Sequence, residues 1–205
     1  MGHLSSEQTT WLETTFGDRV NTRRVERKLY SHDVGEMPLL IKPLIGKPLA
    51  DAIVQPESEA EVVALVKWAA ANHIPLTPRG KATSGYGGVL PVKGGVVVDF
   101  FRLAKVLHVD VAAQTATLQP GIVWENADRE LKKHGMTLRT YPSSYPSATA
   151  GGWLAQGGAG YGSFEAGWFR DNVVSARVVL GNGEVGVFEG EGLDMIYEAE
   201  GITGI

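Results

Sequence analysis

Residues 78–88 read Pro78-Arg79-Gly80-Lys81-Ala82-Thr83-Ser84-Gly85-Tyr86-Gly87-Gly88. The stretch follows the apolar run Ile74-Pro75-Leu76-Thr77 directly, and small residues occupy the places where backbone would have to approach something closely. Glycine reaches positive φ at no steric cost, so successive N–H groups can converge on an anion. Thr83 and Ser84 add hydroxyl donors, and Arg79 and Lys81 add charge. The spacing matches neither the P-loop pattern G-x-x-x-x-G-K-[ST] nor the dinucleotide fingerprint G-x-G-x-x-G. Taken alone, the segment reads equally well as a phosphate loop or as a glycine-rich surface turn.

The flanking sequence supplies a β-α-β frame. Ala52-Ile53-Val54 predicts a short strand, and Ser58 with Glu61 forms an S-x-x-E capping box that opens a helix running to about Asn72. Val62, Val63, Leu65, Val66, Ala69 and Ala70 recur at helical spacing, so one face of that helix should be buried. Ile74 to Thr77 returns as a strand, which Pro78 closes before the glycine loop. Further on, strands are expected at Val96 to Phe100 and Ala116 to Gln119, then a Pro120-Gly121 turn and a helix from about Val123 to His134, ended by Gly135. Val173 to Leu180 and Val185 to Phe188 read as a hairpin closed by a two-residue Asn182-Gly183 turn. Upstream, Ser6 to Phe16 is a possible helix, and the basic run Arg19 to Lys28 reads as a solvated face.

These elements predict a mixed α+β fold. Residues 1–50 form an N-terminal arm packing on the domain, 51–110 a first lobe and 111–205 a second, each a small sheet with flanking helices.

Composition narrows the function. The chain has 205 residues, 43% of them hydrophobic, enough to bury a core. Its formal net charge of −4 gives no global field to attract nucleic acid, so any anion must be held by local geometry. Cysteine is absent, which removes disulfides, thiolate metal sites and a cysteine nucleophile, and is compatible with the cytoplasm. No signal peptide and no transmembrane stretch is expected. The five histidines show no metal-ligand pairing, and neither Ser84 nor Ser163 lies in a G-x-S-x-G elbow. No metal is expected. Arg170-Asp171 reads as a local turn or ion pair.

The 26 glycines cluster around Gly80 to Gly95 and Gly151 to Gly167. In the second region, Pro142-Ser143-Ser144-Tyr145-Pro146-Ser147-Ala148-Thr149-Ala150-Gly151-Gly152-Trp153 leads into Leu154-Ala155-Gln156-Gly157-Gly158-Ala159-Gly160-Tyr161-Gly162. Two such stretches suit a long, flat, polar ligand passing at close backbone distance.

A family resemblance joins these pieces. The order Val54 to Val62 (V-x-P-x-S-x-x-E-V), the Pro-Arg-Gly loop with Thr83-Ser84-Gly85, Gln119-Pro120-Gly121, Ser143-Ser144, Ala148 to Gly152, Asp171-Asn172-Val173 and Gly201-Ile202-Thr203-Gly204-Ile205 resembles the FAD-linked oxidases of the vanillyl-alcohol oxidase and p-cresol methylhydroxylase (PCMH) type. The match covers about Asp51 to Ile205. Together with that ending, Tyr30-Ser31-His32-Asp33 is similar to the D-lactate and glycolate oxidoreductase branch.

The resemblance implies a two-lobed FAD-binding domain with FAD between the lobes. Arg79, Gly80, Lys81, Ala82, Thr83, Ser84 and Gly85 would hold the pyrophosphate by backbone amides, with Pro78 and Pro142 counted among the cofactor-binding residues. Ser143, Ser144, Thr149, Gly152, Gln156, Gly157, Gly158 and Tyr161 would line the flavin's path, and Val173 or Val174 and Ile205 would touch the cofactor through main chain. Turn capping is the alternative for Thr149 and Ser144, and core packing for Tyr161; Trp153 is assigned to core. Some members attach FAD through a histidine in the first loop or a cysteine in the second. Residues 79–88 contain no histidine and the chain no cysteine, so FAD is expected to be non-covalent.

The implied parent activity is oxidation of a small 2-hydroxy acid by hydride transfer to FAD, with reoxidation by oxygen or an electron-carrier partner. Substrate contacts and catalytic residues would come from a substrate domain outside this chain or from a partner chain, and no catalytic residue is assigned. Gly151-Gly152-Trp153 also matches the alkyl-glycerone-phosphate-synthase type, which uses FAD without net redox turnover. A non-catalytic FAD-binding module and a regulatory domain binding another diphosphate are further alternatives.

Overall fold

The structure is a computed structural model that describes residues 4–35, 40 and 48–193. The fold is mixed α+β, as expected, and divides into two compact units, Met1–Arg102 and Leu103–Ile205. The division falls ahead of the expected 110/111 boundary. Its cause is a strand that the residue pattern did not foretell, β5 (Val106–Asp110), which pairs antiparallel with β6 (Thr115–Leu118) and so belongs to the second unit.

In the first unit, four strands lie in the order β1-β2-β4-β3, with β1 Val20–Asn21, β2 Ala52–Val54, β3 Leu76–Arg79 and β4 Val96–Asp99. Strands β2, β4 and β3 run parallel. Central β4 reads Val-Val-Val-Asp and is buried throughout, its three consecutive valines giving the apolar run of a strand covered on both faces. Pro78 does not close β3 but lies inside it, opposite Val98. Proline is tolerated there because β3 is an edge strand, where one side of the backbone needs no partner.

Helix α1 (Ser6–Phe16) has the expected bounds and buries Leu12 and Phe16, four residues apart on one face. A complete capping box holds its start: Gln8 N–H donates to Ser5 Oγ at 3.1 Å and Ser5 N–H to Gln8 Oε1 at 2.8 Å. Helix α2 spans Arg24–Leu29. Helix α3 (Glu59–Ala71) buries Val62, Leu65, Val66 and Ala69, and its Trp68 stacks on Trp11 of α1 with centroids 4.6 Å apart. The Ser58 box is only half made. Ser58 Oγ accepts from Glu61 N–H, but the Glu61 carboxylate accepts instead from Glu57 N–H and from Arg19. Arg19 is therefore a mostly buried ion-pair partner and no part of a solvated basic face.

In the second unit, helix α4 (Trp124–Lys132) turns Trp124, Ala127, Asp128 and Leu131 inward. Helices α5 (Ala150–Leu154) and α6 (Ser163–Ala166) are short. Ile122, Trp124, Ala127, Ala148, Ala150 and Trp153 form one core cluster. Strands β7 (Ser175–Val179) and β8 (Val185–Glu189) form the expected hairpin, but its loop has three residues. Leu180 N–H donates to Glu184 O beyond the last ladder pair, leaving Gly181-Asn182-Gly183 as the turn with Gly183 at φ +79°.

Candidate functional site

The first unit places the 79–88 loop at the C-terminal ends of parallel β3 and β4, where ligands bind in open parallel sheets. Its backbone departs from regular structure at once. Ala82 is held at φ +53°, a left-handed conformation that costs an alanine about 1–2 kcal/mol, although its side chain is buried. The amides of Lys81, Ala82, Ser84 and Gly85 have no hydrogen-bond partner among the described residues. A cluster of such donors fits a phosphate chain without any net positive field.

Both cationic side chains of the loop are engaged within the first unit. The Arg79 guanidinium donates to the carbonyls of Tyr30 at 3.3 Å and His32 at 3.0 Å, and lies 5.0 Å from the Tyr30 ring centroid. Burial lowers its pKa from the ordinary arginine value, yet it keeps its charge because arginine titrates so high. Lys81 Nζ sits 4.3 Å from the Phe101 ring centroid. Tyr30 is anchored in turn, its hydroxyl donating at 2.7 Å to Asp99 Oδ2, which also accepts from Gln55 Nε2. Burial, then that hydrogen bond, raise the Tyr30 pKa, so the phenol stays protonated. Pro78 is exposed, Gly80, Thr83 and Ser84 are half-buried, and Gly85 is exposed.

The second unit holds the remaining expected residues. Pro142 is buried and Ser143 exposed; Ser144 is half-buried, and its carbonyl accepts from the Ser147 and Ala148 amides in a tight turn. Thr149 is buried at the N-cap position of α5 but makes no side-chain capping bond, against the capping alternative. Gly152 and Gln156 are exposed, while Gly157 and Gly158 are buried. Tyr161 is 61% exposed with its ring stacked on Tyr141, which argues against core packing. Trp153 is core, as expected, stacked on Phe169 at 4.7 Å. Val173 packs against the cluster of Ala176, Val178 and Leu193, whereas Val174 is exposed. Ile205, with the 201–205 motif, lies outside the described residues.

Several glycines of this region serve packing of the chain on itself. A Cβ on Gly158 would lie 2.7 Å from the Trp153 ring, one on Gly151 2.7 Å from the Pro120 side chain, and Cβ atoms on Gly160 and Gly162 would overlap the carbonyls of Tyr141 and Arg139. Composition alone cannot separate glycines that admit a ligand from glycines that admit the protein's own backbone. Arg170-Asp171 is a local feature, as expected: the Asp171 carboxylate accepts from Trp168 N–H, with Arg170 Nε 3.6 Å away.

Two buried acids, Asp99 and Asp128, are absent from the sequence expectations. Asp99 closes the network of Tyr30 and Gln55. Asp128 on α4 accepts from Tyr145 Oη at 2.8 Å and Thr137 Oγ1 at 2.9 Å, and pairs with Lys132 Nζ at 2.6 Å. Burial opposes its charge, but the hydrogen bonds from Lys132, Tyr145 and Thr137 outweigh burial and hold its pKa below the usual carboxylate range. Tyr145, desolvated and bonded to that anion, is pushed up to about 12. A signal for Asp128 was present: it lies on the same helical face as Trp124, Ala127 and Leu131, where a charge is out of place unless it is paired.

Comparison with known proteins gives this geometry a context. The FAD binding domain family matches residues 50–188. Glycolate oxidase subunit GlcD of Bacillus subtilis is 31% identical over 67% of this chain and 29% of its own length. The mitochondrial D-lactate dehydrogenase [cytochrome] of Arabidopsis thaliana is 35% identical over 89% of this chain and 31% of its own. Among solved structures, an alkyldihydroxyacetonephosphate synthase superposes with TM-score 0.79 at 28% identity, covering 93% of this chain and 39% of that one. A p-cresol methylhydroxylase with bound substrate shares the fold with TM-score 0.74 at 19% identity, covering 91% and 36%. The chain thus spans about a third of the length of the curated relatives it matches. With the family matched across most of the sequence, the chain belongs to the FAD binding domain family.

Proposed function

We propose that this chain holds FAD non-covalently and forms the cofactor-binding part of an enzyme that oxidises a small 2-hydroxy acid. The observation that carries the reading is the 79–85 loop, where the amides of Lys81, Ala82, Ser84 and Gly85 have no partner among the described residues and Ala82 is strained, at the C-terminal end of parallel strands. Arg79 to Gly85 hold the pyrophosphate through main chain, with Pro78 preceding them. Arg79 acts as a brace for the loop, because its guanidinium is already bonded within the first unit. Pro142, Ser143, Ser144, Thr149, Gly152, Gln156, Gly157, Gly158, Tyr161, Val173, Val174 and Ile205 line the flavin. Non-covalent attachment is supported by the absence of cysteine and of any histidine in residues 79–88.

When bound, FAD supplies a hydride-accepting ring; the protein supplies position and electrostatics. The 2-hydroxy acid assignment is supported by the names of two relatives, one of glycolate and one of D-lactate, both 2-hydroxy acids. Substrate contacts come from outside the described residues, in a substrate domain or a partner chain, and an electron carrier or oxygen takes up the electrons. In domain terms, residues 1–50 are an arm on a cofactor domain that occupies 51–205. Among the described residues no helix is long and apolar enough to cross a membrane. The cytoplasm is the compartment we assign, one compatible with a chain lacking cysteine.

The first experiment is the visible spectrum of the purified chain, before and after acid precipitation. Flavin released to the supernatant supports non-covalent FAD; colour in the pellet would refute that attachment, and a chain that refuses added FAD would refute the cofactor assignment. A second reading, FAD use without net redox turnover, is favoured by the likeness to alkyldihydroxyacetonephosphate synthase. Bleaching of bound flavin by D-lactate or glycolate under anaerobic conditions, measured with the substrate domain or partner chain present, separates the two.

A further inference from the structure

The glycine loop does not hold its shape by itself. Within the first unit, the segment from Tyr30 to Gly35 touches it at successive points. Val34 N–H donates to Ala82 O at 3.3 Å, the carbonyl of the one strained alanine in the loop. Asp33 bonds in two directions, accepting from Gly35 N–H at Oδ1 (2.9 Å) and from Gly87 N–H at Oδ2 (2.8 Å). Arg79, at the root of the loop, donates to the carbonyls of Tyr30 and His32. Gly35 and Gly85 meet backbone to backbone so closely that a Cβ on Gly35 would overlap the Gly85 carbonyl.

We propose that Tyr30–Gly35 is a clasp that fixes the ligand-binding conformation of the 79–87 loop, with Asp33 as its positioning residue. The inference rests on the FAD reading for its functional consequence but not for its structural content. Glycine-rich backbone has many accessible conformations, and ordering it during binding would subtract from affinity. The clasp orders it beforehand. It takes up Ala82 O, in the middle of the stretch, and Gly87 N–H, just beyond it, and leaves the amides of Lys81, Ala82, Ser84 and Gly85, which have no partner among the described residues, to donate elsewhere. A carboxylate suits position 33 because each of its two oxygens accepts one backbone N–H, and charge strengthens both bonds.

The test uses the purified chain and FAD itself, titrated by quenching of flavin fluorescence, with hydrogen exchange of residues 80–88 measured in the FAD-free chain. Asp33→Ala and Gly35→Ala are expected to weaken FAD binding tenfold or more and to speed exchange within 80–88. Exchange in α3 and the circular dichroism spectrum should stay unchanged. Asp33→Asn, which keeps one acceptor, should recover part of both losses. Native affinity and native loop exchange in Asp33→Ala and Gly35→Ala would overturn the proposal. So would global unfolding of both, since a positioning residue leaves its unit folded. Failure of the unsubstituted chain to bind FAD would refute the cofactor reading alone, because the exchange measurement still reports on the clasp.

Discussion

Replacing Asp128 by alanine tests the electrostatic anchor of the second glycine-rich region. The carboxylate is buried and accepts from Tyr145 Oη at 2.8 Å, from Thr137 Oγ1 at 2.9 Å and from Lys132 Nζ at 2.6 Å. Hydrogen bonds to a charged group contribute about 1.5–3 kcal/mol each, though not additively. Lys132 is mostly exposed and regains water when the acid is removed, so its share is small. The two hydroxyls, part-buried, carry most of the effect, and a net loss of about 2–4 kcal/mol is expected, a large part of the stability of an ordinary domain.

Urea unfolding of the FAD-free chain measures it, with Tyr145→Phe and the double variant completing a thermodynamic cycle. Coupling between Asp128 and Tyr145 should be about 1 kcal/mol or more. The pH dependence has a definite sign. Since the folded pKa of Asp128 is depressed, its contribution is fully present above the unfolded carboxylate value and is lost as pH falls through the lower folded value. Tyr145 is raised to about 12, so its contribution persists below its unfolded value of about 10 and is lost as pH rises through 12. A loss below about 0.5 kcal/mol in Asp128→Ala, or one that grows on acidification, would refute this account.

Gly158→Ala forces a Cβ to within 2.7 Å of the Trp153 ring from a backbone at φ +34°, and should cost about 1–3 kcal/mol in urea unfolding with a weakened near-ultraviolet tryptophan dichroism. Ser58→Ala removes the oxygen that caps α3 and should lower stability by about 1 kcal/mol, read as a shift in urea midpoint at constant slope. Glu61→Gln breaks the pair with Arg19, whose hydrogen bond holds the Glu61 pKa below its ordinary value. The destabilisation it causes should therefore be constant near neutrality and shrink as pH falls through the folded pKa of Glu61, which acid titration followed by circular dichroism would show.

The local pattern of this sequence determined a good deal. The 3.6-residue recurrence in residues 59–71, the serine oxygens at helix starts and the apolar run of β4 are short-range signals, because each depends on neighbours within a few residues along the chain. The glycine stretches by themselves said only that something approaches the backbone closely, and it was the resemblance of the motif order to FAD-linked oxidases that implied FAD. What eluded the sequence was decided by partners distant along the chain. Arg19 reads as one more basic residue until Glu61 meets it, the Arg79 guanidinium reads as added charge in the loop until the Tyr30 and His32 carbonyls engage it, and Asp128 acquires its role only when Tyr145 and Thr137 bond to it. Glycines 160 and 162 look identical to ligand-facing glycines because a missing Cβ says only that something approaches closely. The tertiary structure alone says what approaches: local propensity acts through bonds a few residues apart, whereas charge pairing and close packing act through space.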